Sequence, residues 1–225
     1  MSTFSSWNGG REKMVYQIKV VLKGSTPLVW RRVLLRASST FEQLHQVIQR
    51  SFAFKDSHLY MFTLADHTLK VTNDDEALEV YQEYLENKEE IEAALLALDS
   101  PFARRRLEAL RVAVHKPDQT KLESYLQVGD RIDYLYDFGD NWEFSIEVET
   151  IVEERLLDHP ILLGGEHGAP LENMGGLAGF EEFLEAFNDA RHPDHEAARK
   201  WGEKQGFSDY DEEAIQGRLQ LLASV

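Results

Sequence analysis

The sequence predicts one α+β domain, with a β-grasp-like, mixed and mainly antiparallel sheet packed by helices. Three observations predict it. The first 65 residues have the pattern strand, strand, helix, strand, and strand alternation returns from Arg131. Apolar residues at helical spacing fill much of the remainder, and 43% of the 225 residues are apolar, enough for a substantial core. Strands and helices segregated along a chain are typical of an α+β fold.

The N-terminal part predicts a hairpin, a helix and a third strand. Residues 15–23 alternate apolar and polar side chains, residues 24–27 have turn composition, and residues 28–36 predict the returning strand. A capping box is assigned to residues 39–42, with Ser39 as the cap and Glu42 as its reciprocal partner. A further strand is predicted over residues 58–64.

The middle of the chain, residues 74–111, predicts a helical-hairpin insertion. Asn73 or Asp74 would cap one long helix that runs through Leu98, and Ser100-Pro101 would begin a second. The first helix is acidic and the second carries several arginines, so we expect an antiparallel pair held partly by charge. Binding of a partner by these helices is the alternative.

The C-terminal half contains the clearest periodicity in the chain. Residues 131–149 alternate around a bend at 138–141, which predicts an antiparallel hairpin with one buried and one acidic face. Residues 159–179 are predicted to be a long loop with six glycines. Helices are expected at residues 180–190, 195–203 and 211–222.

Composition limits the class of protein. There are no cysteines, so disulfides, thiolate metal sites and a cysteine nucleophile are excluded. No segment has the roughly 18–20 consecutive apolar residues that span a bilayer. Residues 1–14 are predicted to be a flexible leader ahead of a single domain at 15–225, and the cytoplasm is the expected location.

Charge is distributed unevenly. The net charge is -16, but residues 1–70 carry ten Lys/Arg and four Asp/Glu, so the remainder carries -22. Such a balance disfavours general nucleic-acid coating, because phosphate binding depends on Lys and Arg. Arg31 and Arg32, beside Trp30, nevertheless form a basic hairpin that could meet phosphates and bases. Pairing with the acidic remainder is the alternative interpretation.

Two irregular motifs concentrate unusual residues. The bend places Asp137 and Asp140 three positions apart beside Trp142, which suits either a shared cation or ordinary turn hydrogen bonds. The glycine-rich loop could hold an anion on backbone amides, but it lacks the Gly-Lys-Ser/Thr ending of a P-loop. Close packing of this loop across the sheet is the simpler interpretation.

These motifs also carry a resemblance to a known family. The Trp30-Arg31-Arg32 triplet, the Asp137-Phe138-Gly139-Asp140-Asn141-Trp142 bend and Gly175-Gly176 occur in the order found in the plasmid pRiA4b open-reading-frame-three-like proteins. The resemblance covers roughly residues 15–210 apart from the insertion. It implies a fold and a setting on plasmids and insertion elements, and it implies no reaction. Members usually carry cysteines around the loop, an Asp at position 173 and often a His at position 144, whereas this chain has Asn173 and Phe144.

The leading hypothesis is a non-catalytic interaction module associated with plasmids or mobile elements, whose binding edge is the bend and the glycine-rich loop. A protein is the expected partner, with no cofactor, no metal and no membrane, and the oligomeric state is left open. A nucleic-acid accessory protein and a metal-dependent hydrolase using Asp137, Asp140 and Glu172 are the alternatives. The predicted binding residues are Arg31, Arg32, Asp137, Asp140, Asn141, Trp142, Glu172, Asn173, Gly175 and Gly176.

Overall fold

A computed structural model describes residues 14–153 and 157–222 of the protein. The predicted leader lies outside these residues except for Met14, which begins the first strand. The described residues form an eight-stranded sheet and seven helices, so the α+β prediction is confirmed. The finer likeness to a β-grasp stays a prediction.

The sheet has the strand order β5-β4-β3-β6-β7-β1-β2-β8. Every neighbouring pair is antiparallel except β4 and β5, which are parallel. The strands are β1 Met14–Leu22, β2 Trp30–Arg36, β3 Tyr60–Leu64, β4 Leu69–Thr72, β5 Ala113–His115, β6 Arg131–Tyr136, β7 Trp142–Glu153 and β8 Ile161–Glu166.

Three of the helices lie between β4 and β5 in the predicted insertion, and three follow the sheet. The helices are α1 Phe41–Phe52, α2 Asp75–Glu86, α3 Lys88–Ala97, α4 Pro101–Leu110, α5 Gly176–Asn188, α6 His195–Gln205 and α7 Glu212–Gln220. The predicted cap is present at α4, where the Ser100 hydroxyl accepts a hydrogen bond from the Ala103 amide.

The core lies on one face of the sheet, where α1, α5 and α7 contribute buried side chains. The predicted hairpin of β6 and β7 is confirmed, because Tyr134 pairs with Phe144 and alternate residues of both strands are buried. The opposite face of the central strands is mainly polar and carries a small apolar cluster of Val15, Leu34 and Leu157. Burial of one face therefore sets the register of the whole sheet.

Three sequence predictions about element boundaries were wrong. The capping box lies one residue later, at Thr40 and Gln43, because the Glu42 carboxylate accepts instead from the Tyr60 hydroxyl. The long helix is two helices divided at Asn87, whose side-chain amide bonds the Glu83 carbonyl and so competes with the helix. The predicted glycine-rich loop of residues 159–179 contains β8 and the first turn of α5.

Candidate functional site

Three loops that are far apart in the sequence meet at one end of the sheet. They are the connection from α1 to β3 (residues 53–59), the bend between β6 and β7 (residues 137–141) and the segment leading into α5 (residues 171–176). Together we call them the three-loop edge. The predicted meeting of the bend and the glycine-rich loop is seen directly, since the Asp140 Oδ2 accepts a hydrogen bond of 3.1 Å from the Met174 amide.

The bend is held by its own first carboxylate. Asp137 is buried and lies at φ 56°, and its Oδ1 accepts from the Gly139 amide at 2.9 Å and the Asp140 amide at 3.3 Å. Its Oδ2 lies 3.5 Å from His58 Nε2. Asn141 also has a positive φ, 57°, a conformation that Asp and Asn tolerate better than most residues. The residue types of the bend thus follow from its backbone geometry.

Glu172 joins the other two loops to the sheet. Its carboxylate accepts from the Tyr136 hydroxyl at 2.6 Å, the Lys55 amide at 2.7 Å and the Ser57 hydroxyl at 3.2 Å. Burial, together with this carboxylate, raises the pKa of Tyr136, so the phenol keeps its proton and donates it to the bond. Glu172 is therefore a positioning group for the edge.

The glycines permit close packing of the loop against the bend. Asn173, Gly175 and Gly176 all have positive φ, at 60°, 83° and 70°. A Cβ at Gly176 would overlap the Asp140 carbonyl oxygen, whereas a Cβ at Gly175 would meet nothing within 4 Å. Glycine is thus required at position 176 because a Cβ would clash with the bend. At position 175 it is favoured only because the backbone has a positive φ.

A buried polar network anchors the first loop, and sequence analysis missed it. His45 is fully buried and stacks on Tyr60, and its ring nitrogens lie 2.8 Å from the Tyr134 hydroxyl and 2.7 Å from Asp56 Oδ1. Gln49 accepts from the Asp56 amide at 2.9 Å. The hydrogen bond from His45 is the largest cause of the lowered pKa of Asp56.

The available signal for this network was the run of buried tyrosines, because a buried phenol needs a hydrogen-bond partner. No local pattern of residues indicates which side chain supplies that partner. His45 is enclosed and the Asp56 side chain is 41% exposed, so the network holds the loop from inside and only the Asp56 carboxylate reaches solvent.

The outer surface of the three-loop edge presents exposed side chains. Phe138 is 43% exposed, and Asn141 and Asn173 are exposed on the bend and the loop, where the Asn141 side-chain amide donates to Glu143 at 2.8 Å. Asn173 also borders a groove of about 400 Å³ between the loop and α6. Trp201 and Phe183 line the apolar part of this groove.

Five predicted binding residues do not reach this surface, and one of them is Asp137, which is 7% exposed beneath the bend. Trp142 is 1% exposed and its ring packs in the core, and Gly176 is buried beneath Asp140. Arg31 and Arg32 belong to β2 and make their contacts elsewhere. Asp137 and the remaining predicted residues, Asp140, Asn141, Glu172, Asn173 and Gly175, all lie in the three-loop edge.

Arg31 is a buried cation bonded to backbone carbonyls. Its guanidinium donates to the carbonyls of Ser51, Trp30, Glu166 and His167, and it lies between the rings of Phe52 and Tyr210. Burial is the main cause that lowers its pKa to about 10. Through these hydrogen bonds, Arg31 connects β2 to α1 and to the end of β8.

Arg32 lies on the polar face and is paired within the molecule. It makes two hydrogen bonds with Glu149, of 2.6 and 2.7 Å, and stacks on Trp30. Lys23 likewise pairs with Asp133 at 2.7 Å. These contacts favour internal pairing of the basic hairpin over phosphate binding.

The hydrolase alternative gains no support from the carboxylate geometry. Asp137, Asp140 and Glu172 each accept hydrogen bonds from backbone amides. Across residues 14–153 and 157–222, no group of three or more His, Asp or Glu side chains is arranged to hold a metal ion.

In the same part of the chain, no helix has the length and apolar character needed to cross a membrane.

The family of the chain is decided by a family model described as "Plasmid pRiA4b ORF-3-like protein", which matches residues 14–218. The chain belongs to this family. Its pRiA4b-like relatives include uncharacterized protein y4hQ of Sinorhizobium fredii, which is 30% identical over 200 residues, or 89% of this chain and 85% of that protein. The resemblance drawn from the Trp30 triplet, the bend and Gly175-Gly176 is confirmed.

A solved structure has a fold similar to that of this pRiA4b-like chain. The crystal structure of MM3350 from Methanosarcina mazei Go1, described as a protein of unknown function, superposes with a TM-score of 0.65 at 25% identity. The match covers 89% of this chain and 96% of that chain.

Proposed function

We propose that the protein is a non-catalytic binding module that holds a basic, partly apolar segment of a partner protein at the three-loop edge. The observation that carries the proposal is the contrast between anchored and exposed groups. Asp140 and Glu172 fix the loops from within, while Phe138, Asn141 and Asn173 face outward. Loops held in one conformation lose little entropy on binding.

Charge supports a basic partner. The edge contains the carboxylates of Asp56, Asp137, Asp140 and Glu172 against the single ammonium of Lys55. Asp194 adds a further carboxylate at the groove beside Asn173. A partner with Lys or Arg next to an apolar side chain would therefore match both the charge of the edge and its exposed Phe138.

We extend the genetic setting named by the family description to this chain, and propose that the partner belongs to a plasmid or mobile element. A cytoplasmic location is part of the same proposal, suggested by the cysteine-free composition.

The test is a selection of random 12-residue peptides on the immobilised protein, followed by affinity measurement with soluble peptides. We expect clones rich in Lys or Arg beside an aliphatic or aromatic residue. The Phe138→Ala, Asn173→Ala double variant should weaken their binding at least about tenfold, as for loss of a contact near the centre of an interface.

The matched control is Leu163→Ala, because Leu163 on β8 is 44% exposed and Phe138 is 43% exposed. The control should bind the selected peptides as the unaltered protein does. Selected peptides that bind the double variant with full affinity, or that lack basic residues, would contradict the proposal.

A further inference from the structure

The turn between α3 and α4 exposes three large apolar side chains within seven residues. Leu96, Leu98 and Phe102 are 60%, 64% and 75% exposed. Among the other large hydrophobic residues in the described ranges, only Leu221 reaches 60% exposure. Strongly exposed apolar side chains grouped at one turn make this turn a candidate interaction surface. We call residues 96–102 the hairpin tip.

The helices that flank the hairpin tip carry opposite charges. On α3, Glu89 and Glu90 are exposed, and on α4, Arg105 and Arg106 are exposed. Neither arginine forms an ion pair with any residue that the structure describes. Glu92 is instead bound by Arg111 in two hydrogen bonds of 3.0 and 2.9 Å, which lower its pKa to about 2.

The burial of the two helices shows that this surface is not needed inside the molecule. α3 has no buried residue, and α4 directs Ala103, Leu107 and Leu110 inward. The outward face of α4 therefore carries its arginines and Phe102 into solvent. The predicted pairing of the two helices by charge rests on Arg111 and Glu92, which leaves Arg105 and Arg106 without that role.

We infer that the hairpin tip is a two-fold contact between two copies of this chain. In a two-fold dimer, a contact of α3 with the partner's α4 is repeated by α4 with the partner's α3. Crossing the two hairpins in this way brings the acidic helix of each copy onto the basic helix of the other and buries the apolar side chains between them. A second copy supplies both the apolar and the charged complement.

The size of the surface sets the strength of the dimer. Helices of ten residues are roughly 15 Å long, so the contact is smaller than the roughly 800 Å² per partner of a standard interface. Interfaces of this size belong to the weak, transient class, so we expect association at micromolar or higher concentrations of the protein.

Sedimentation equilibrium from below one micromolar to several hundred micromolar tests the apolar contact. The unaltered protein should pass from monomer to dimer, and Phe102→Glu should weaken association at least about tenfold. Residue 102 lies in the first turn of α4, where a carboxylate favours the helix, so this variant keeps its fold. Val128→Glu, at a residue 51% exposed in a turn before β6, adds the same charge elsewhere and should dimerise normally.

A charge exchange tests the pairing of α3 with α4. The Arg105→Glu, Arg106→Glu variant and the Glu89→Lys, Glu90→Lys variant should each dimerise more weakly than the unaltered protein, and their equimolar mixture should form a heterodimer. A protein that stays monomeric at every concentration overturns the inference, and so does a dimer unaffected by Phe102→Glu. A mixture that associates no better than its two components overturns the two-fold arrangement.

Discussion

Two adjacent glycines at the start of α5 allow the free-energy cost of a positive φ to be measured separately from the cost of a steric clash. Gly175 and Gly176 both have positive φ, but only Gly176 lies against the Asp140 carbonyl. Alanine at either position must adopt a positive φ, but only alanine at position 176 also clashes with the Asp140 carbonyl. The pair measures how firmly the bend and the loop are held together.

We predict that Gly175→Ala lowers the free energy of unfolding by about 1 kcal/mol, the cost of a left-handed conformation in a residue with a Cβ. Gly176→Ala should lower it by about 3 kcal/mol or more, because the backbone must also move away from Asp140. Urea denaturation of both variants checks this prediction. Equal losses would show that the loop moves away from the bend at little cost.

At the level of secondary-structure elements, one ion pair on the polar face of the sheet joins β2 to β7. Arg32 on β2 reaches Glu149 on β7 across β1, where Gln17 also donates to Glu149 at 2.8 Å. The hydrogen bonds from Arg32 are the largest cause of the lowered pKa of Glu149. Three strands are thus joined by side chains as well as by their ladders.

This pair predicts a pH dependence of stability. A carboxyl whose pKa is lowered by folding stabilises the protein fully above its unfolded pKa, and this contribution is lost as the pH falls through the lowered native pKa. Glu149→Gln should cost about 1–2 kcal/mol at pH 7, and the difference from the unaltered protein should shrink under acidic conditions. Thermal unfolding from pH 7 to pH 2 measures it.

The control for that prediction is Glu143→Gln on the same strand. Glu143 is 51% exposed and lies 4.0 Å from Lys23, so its substitution should change stability little. A Glu149→Gln effect that is constant with pH would mean that lost packing, and not the charge, is responsible.

The elements that sequence analysis predicted correctly are those whose periodicity decides burial locally. The hairpin of β6 and β7 alternates over many residues and was found with its bend. β5 has only three residues, and β8 contains Gly164 and Gly165, so their pairing with β4 and β2 depends on tertiary contacts that no local pattern reports.

The same distinction applies to the three-loop edge. Glycine, Asp and Asn at positions of special backbone geometry identified the bend and the loop in advance. The loop of residues 53–59 was not identified, because Lys55 contributes a backbone amide and Ser57 an ordinary hydroxyl to Glu172. The exposure of Phe138, and with it a contact role for this side chain, could not be predicted from the sequence.

On the scale of the whole molecule, the sheet brings part of the basic N-terminal charge next to the acidic charge of the later strands. Basic residues of β2 and of the turn that follows β1 meet acidic residues of β6 and β7, as in the pairs of Lys23 with Asp133 and Arg32 with Glu149. The insertion repeats this division within itself through Arg111 and Glu92. The sheet and the insertion therefore each hold complementary charges, and they differ greatly in buried apolar surface.

That difference predicts an uneven distribution of local stability, which amide hydrogen exchange at concentrations below one micromolar can measure. β1 and β7 lie at the centre of the sheet and contribute residues that are 0–1% exposed, whereas α3 has no buried residue. Opening of α3 should cost at least about 3 kcal/mol less, so its amides should exchange roughly a hundredfold faster.

Exchange of α3 as slow as that of β1 would show that the insertion unfolds only together with the sheet. Fast exchange of the α3 amides would instead show that the insertion opens independently of the sheet and is stabilised by what it contacts. In that case, raising the protein concentration into the range of the proposed dimer should slow exchange in the amides of α3 and the hairpin tip. The amides of β1 and β7 should be unaffected, because their protection already reflects the sheet itself.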